Sequence, residues 1–141
     1  MKWVTRERPK TNRIACPWLI SKFIDKEATF LYVPIDQVLS IADKAHAISF
    51  DAPDARFTHR DNLCTFEVLI DDYRLRDNAA LVRLAQIVHA ADISEDLTTD
   101  PLAAGLLAIG IGGLLDEAND LSLLAKGSFV YDALYAWCQA N

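Results

Sequence analysis

The chain has 141 residues, 52% hydrophobic and 24% charged, with a formal net charge of −6. That length suits a single domain over residues 1–141, and the balance excludes extensive disorder. The acidic total argues against nucleic acid as a partner, because phosphate neutralisation needs clustered Lys and Arg.

The charge is uneven. Residues 1–13 carry Lys2, Arg6, Arg8, Lys10 and Arg13 against Glu7 alone. This basic arm reads either as a solvated loop or as the lining of an anion site. In the second case Arg6, Arg8 and Arg13 are the anion-binding residues. Cys16, Cys64 and Cys138 are odd in number and widely spaced, so a disulfide framework is not expected. MKWVTRERPK has no apolar run behind its charges and does not read as a signal peptide. The longest apolar stretch, LAAGLLAIGIGGLL at 102–115, is shorter than the roughly 20 residues that span a bilayer. The expectation is a cytoplasmic protein without membrane contact.

In chain order, WVT at 3–5 predicts a short strand and RERPKTN an arm. Arg13–Asp25 places Ile14, Trp18, Leu19 and Phe23 at helical spacing. Pro17 suits a first helical turn, so the helix is expected over Pro17–Ile24. TFLYV at 29–33 is rich in aromatic and β-branched residues and predicts a buried strand ended by Pro34. IDQVLSIADKA at 35–45 predicts a helix, and HAISF at 46–50 a further strand. DAPDA turns the chain, and RFTH is a candidate edge strand. TFEVLIDDYRL predicts a helix with Thr65 as N-cap and Glu67 in its first turn. DNAALVRLAQIVHAAD predicts another, capped by Asp77 or Asn78. Residues 92–101 read as a polar loop. Two long helices follow, at roughly 102–117 and 120–138. In the first, Gly105, Gly110, Gly112 and Gly113 point to close approach of another backbone. This order predicts an α/β fold, a small sheet with alternating helices and a C-terminal helical pair covering one face.

The chemistry-bearing residues gather in HRDNLCTFE at 59–67 and near His89. His59, His89 and a carboxylate from Glu67 or Asp92 would make a mixed N/O metal site, suited to zinc, iron or manganese. Within it, Asp92 either ligates or orients the His89 ring. Asp51, just beyond HAISF, is a further candidate ligand. The structural alternatives are a His89 that favours a helix C-terminus and a His59 in a plain turn. Cys64 precedes a helix start, where a thiolate is favoured, so a Cys64 nucleophile with His59 as base is one reading. A small buried hydrophobe is the other. No zinc-protease, EF-hand or phosphate-loop motif is present.

The blocks RIACPWLISKFID, HRDNLCTFEVLIDDYRL and LVRLAQIVHAAD resemble the chromate-resistance protein family, specifically the C-terminal domain of the chromate-sensing regulator ChrB. The resemblance singles out Arg13, Cys16, Pro17, Trp18 and Asp25; His59, Cys64, Phe66 and Glu67; and His89, Ala91 and Asp92. Where the family usually has glycine after the histidine turn, this chain has Asp61. The regulator carries an additional N-terminal domain, to which DNA binding would belong. The resemblance implies a metal- and oxyanion-binding domain linked to chromate resistance or sensing. In that reading His59, His89 and Asp92 hold the metal, and a small inorganic anion is the partner. The alternative is a metalloenzyme that uses a His/carboxylate-bound metal for hydrolytic or redox chemistry, with Glu67 or Asp92 moving protons. A cysteine enzyme or reductase using Cys64 with His59 is a separate reading. A homo-oligomer formed through the glycine-rich helix is a further expectation.

Overall fold

The computed structural model describes residues 1–141. Three parallel strands, β1 (Lys2–Arg6), β2 (Thr29–Val33) and β3 (Ile48–Ser49), lie in the order β2-β1-β3. Central β1 pairs Val4 with Leu31 on one side and with Ser49 on the other. Successive side chains of β1 point to opposite faces, so Trp3 and Val4 enter different cores. Val4 meets Val38, Ala52 and Ala55 under helix α2 (Val38–Ala45). Trp3 joins the main core, built from α1 (Asn12–Leu19), α3 (Thr65–Asp72), α4 (Ala79–Asp92), α5 (Ala103–Asp116) and α6 (Asp120–Ala140). The α/β expectation therefore holds, including the C-terminal helical pair on one face of the sheet. No helix is long and apolar enough to cross a membrane.

Pro17 lies inside α1 rather than in its first turn. A proline has no N–H, so the carbonyl four residues back loses its helical partner. That carbonyl belongs to Arg13, and it accepts a 2.5 Å hydrogen bond from the Tyr32 hydroxyl instead. The phenol thus lets the helix begin five residues earlier than Pro17 alone suggests. Past Leu19 the chain widens into a π-helical turn, Ile20–Ile24.

HAISF yields only the two residues of β3, because His46 takes left-handed backbone (φ 53°) to end α2. RFTH contributes one isolated bridge, Phe57 to Phe50, rather than a strand. Asp61, at the position where glycine is usual in the family, has φ 55°, a conformation that aspartate tolerates better than most residues. The region expected as a polar loop forms a 3-10 segment, Ser94–Thr99, directly after α4.

The glycines divide into two kinds. A Cβ on Gly127 would sit 2.8 Å from Ile14 Cγ2, and one on Gly110 would sit 3.1 Å from the Lys10 carbonyl oxygen. These two let α6 approach α1 and α5 approach the basic arm. Gly105 and Gly112 have nothing within 4 Å of a built Cβ.

Two stability outcomes follow from this packing. Gly127→Ala should cost about 1–3 kcal/mol in urea unfolding, since the methyl must displace the buried Ile14 side chain that packs against this position. Tyr32→Phe should cost about 1–3 kcal/mol, because the Arg13 carbonyl is left unpaired where Pro17 cannot donate. Unchanged unfolding midpoints would contradict these two assignments.

Candidate functional site

The expected ligands His59, His89 and Asp92 do not form one set. The structure divides them between two neighbouring clusters. The first is built on α3 and α4. Cys64, not Thr65, is the N-cap of α3, and Glu67 is its third helical residue. Glu67 Oε1 accepts a hydrogen bond from the Cys64 backbone N–H at 3.0 Å, which holds the carboxylate over the helix start. The same oxygen lies 2.5 Å from His89 Nδ1. His89 projects from the last turn of α4, and its Nε2 lies 2.7 Å from Asp96 Oδ2. Ligand atoms of Cys64, Glu67 and His89 all lie within 4.8 Å of one another.

Asp96 was not among the residues singled out from the sequence, where it lies in a stretch read as loop. The 3-10 turn carries it back over α4, to a residue seven positions earlier. Its carboxylate meets Nε2 while Glu67 meets Nδ1, so the ring is held in orientation from both sides. Burial alone would lower the His89 pKa, but the hydrogen bonds to Glu67 and Asp96 outweigh it and raise it.

The surroundings of Cys64 work against a nucleophilic role. Its side chain is fully buried, and burial pushes its thiol well up, with the nearby Glu67 carboxylate adding to the effect. The favourable field of a helix N-terminus is outweighed. Nor is His59 poised as its base, because the His59 Nε2 faces carboxylates instead.

The second cluster gathers around Asp51. This carboxylate is 4% exposed, and it receives a 2.7 Å hydrogen bond from the Thr65 hydroxyl. Arg6 and Arg13 each approach its Oδ2 at 3.7 Å, and Arg6 Nε also bonds the Asp51 carbonyl. His59 Nε2 lies 3.6 Å from Asp51 Oδ1 and 3.2 Å from Asp92 Oδ2. Asn12 Nδ2 donates to Asp92 at 2.9 Å. Burial would raise the Asp51 pKa, yet His59, Thr65, Arg13 and Arg6 together hold it below the usual carboxylate range. Asp92 moves the other way, raised by burial and by the Asp51 charge. The His59 pKa rises through Asp51 first, against a desolvation cost, with Asp92 adding to the rise.

The basic arm splits as well. Arg6 and Arg13 face the Asp51 cluster. Arg8 does not: it bonds Asp120 and the carbonyls of Leu114, Glu117 and Ala118, closing the C-terminal end of α5. Its donors are thus committed to the fold, and the exposed cations beside Asp51 are Arg6 and His59. Asn12, buried at the start of α1, also escaped the sequence reading. An asparagine in a polar arm has no spacing signal that distinguishes it from a cap.

The two clusters touch through one peptide. Cys64 belongs to the first and Thr65 to the second, so the start of α3 carries both.

No solved structure matches the chain. Among curated proteins, Protein ChrB of Cupriavidus metallidurans (strain ATCC 43123 / DSM 2839 / NBRC 102507 / CH34) is 36% identical over 134 residues. That match covers 95% of this chain and 40% of the relative, so the chain spans well under half of the relative's length. The family described as "ChrB, C-terminal domain" matches residues 3–138. With almost every residue inside that match, and both clusters within it, the chain belongs to the ChrB C-terminal domain family.

Proposed function

We propose that this chain is a metal- and oxyanion-binding domain linked to chromate resistance or sensing. The observation that carries the reading is the convergence of Cys64, Glu67 and His89 within 4.8 Å, with Asp96 behind the imidazole. Sulfur, nitrogen and oxygen donors in one set suit zinc or iron better than a hard cation such as magnesium. Glu67 and His89 already face each other, so an ion placed there would replace a single hydrogen bond with two ligand bonds. Asp96 then serves as the outer carboxylate that keeps the ring aligned. A bound ion would supply Lewis acidity and positive charge. Three protein ligands leave a coordination position for water or an anion, which keeps the metalloenzyme as a second reading.

The oxyanion half of the proposal rests on Arg6 and His59, with Arg13 deeper behind them. Arg6 and His59 are about a third and nearly half exposed, so an incoming tetrahedral anion would find their donors at the rim. Arginine suits such an anion because its planar fork donates two parallel bonds. Asp51 neutralises part of this charge, which favours reversible binding over tight capture. The link to chromate comes from the family resemblance, and sulfate or phosphate presents similar acceptor geometry.

Titration calorimetry with Zn²⁺, Fe²⁺ and Mn²⁺ tests the metal half. His89→Ala and Cys64→Ser should each weaken the preferred ion by at least about 100-fold, and Asp96→Asn by about tenfold. His59→Ala should leave metal affinity within about twofold while weakening chromate or sulfate binding. Equal metal affinity in wild type and His89→Ala would end the metal reading. Equal anion affinity in wild type and Arg6→Ala would end the anion reading.

Metal affinity should also rise with pH. The Cys64 thiol is held protonated by burial, and ligation must release that proton. The thiol proton alone gives close to a tenfold gain per pH unit, and the slope steepens at lower pH where the His89 ring, its pKa raised by Glu67 and Asp96, must also lose a proton. The check is calorimetry at several pH values in buffers of different ionisation enthalpy. A pH-independent affinity would remove Cys64 from the ligand set.

A further inference from the structure

The helices α5 and α6 both rest on α4 but touch each other little. Between and around them lies an uncovered apolar surface. From Leu102 to Leu115 no residue is charged, yet within α5 only Ala103 and Leu106 are buried. Leu115 is 85% exposed and Phe129 on α6 is 72% exposed, with Ile109, Ile111 and Trp137 exposed beside them. A groove along α6 is lined by six apolar residues, five of them on α6 and one, Leu102, just before α5. A second groove, between α5 and α6, joins apolar residues such as Ile109 and Val130 with Lys10, Asp116, Glu117 and Lys126. Taking roughly 200 Å² for a fully exposed large side chain, the five exposed residues present on the order of 600 Å² of apolar area. That sum, spread over the outer sides of two helices, reaches the upper end of what a monomer leaves uncovered, the range in which patches are often functional.

The geometry points to a second copy of this chain as the occupant: we infer that the α5–α6 face is the contact of a two-fold homodimer. Three observations favour this over another partner. Along α5 the face carries no charge before Asp116, and Lys126 on its α6 side is already paired with Glu117, so two copies of it meet without these charges opposed unpaired. The exposed area, with the half-buried rim added, approaches the about 800 Å² per partner of a stable interface. Gly105 and Gly112 are seven residues apart, on nearly the same side of α5, and a Cβ at either meets nothing within the chain. Each costs the helix about 1 kcal/mol relative to alanine without serving any internal contact. Close passage of a second α5 across this side gives both glycines a purpose.

Sedimentation equilibrium of the full chain, from low to high micromolar concentration, tests this. The expected mass is twice 15.7 kDa. Leu115→Glu and Phe129→Glu should each weaken association at least tenfold, with circular dichroism unchanged because both positions are exposed. Gly112→Leu should also loosen the dimer, while a merely structural glycine would give a more stable helix and the same mass. Leu39→Glu, at an exposed apolar position on α2, should leave the mass at twice the monomer. A monomer at every concentration, or a dimer that survives both glutamate substitutions, would overturn the inference.

Discussion

The architecture around the site depends on burying one charge. Asp51 stands just past β3 with left-handed backbone (φ 47°), and its carboxylate is almost wholly removed from water. An isolated carboxylate in that position would protonate or force the chain open. It stays ionised because β1 sends Arg6, α1 sends Arg13, the following turn sends His59, and α3 begins with Thr65. Four separate parts of the chain are thereby referred to one point. Partners at 3.6–3.7 Å are loose contacts, so the arrangement supplies position more than net stability. Hydrophobic burial of Trp3, Phe50, Phe66 and Leu69 supplies the driving force, and the Asp51 network decides where those elements meet.

That division explains what could be read from the sequence. Strand β2 was legible as a strand because Thr29–Val33 is a dense β-branched and aromatic run ended by proline, but it lies at the sheet edge with no residue buried, not inside as the apolar run suggested. The helix over Ala79–Asp92 was legible from Leu81, Leu84, Ala85 and Val88, and Asn78 caps it as one of two alternatives foresaw. The start of α1 was not, because the rule that places proline in a first turn assumes a carbonyl with no other donor. Tyr32, on the next strand, supplies that donor. Propensity concerns the local chain, and here a tertiary hydrogen bond overrides it.

The site shows the same limit more sharply. His59, Cys64, Glu67, His89, Asp92 and Asp51 all lie within the two clusters. They are not gathered at one centre. His89 and Asp92 are three positions apart on α4, a spacing that permits contact without requiring it. The competing partners decide: both His89 nitrogens are taken, by Glu67 and Asp96, while Asp92 turns to Asn12 and His59. Asp96 and Asn12 carry no periodic signal, and only the fold brings them in. Arg8 shows the reverse error, a cation in a basic arm whose donors close a helix end.

Two clusters joined at Cys64–Thr65 have a mechanical consequence. Cys64 is the N-cap of α3, so its sulfur cannot move far without moving the first turn of that helix. Thr65 is the next residue, and its hydroxyl holds Asp51. On the proposed function, a metal ion that drew the Cys64 sulfur toward Glu67 and His89 would pull on the same turn that orders Asp51, and through it Arg6, Arg13 and His59. An anion competing with Asp51 for those cations would act on the turn from the other side. Linkage makes any such influence reciprocal, so a change in anion affinity on metal binding must equal the change in metal affinity on anion binding. Coupling of this kind needs no long pathway, because a single peptide bond separates the two groups. The burial that works against Cys64 as an exposed nucleophile would serve such coupling, because a closely packed side chain has little room to absorb a displacement and passes it to the backbone.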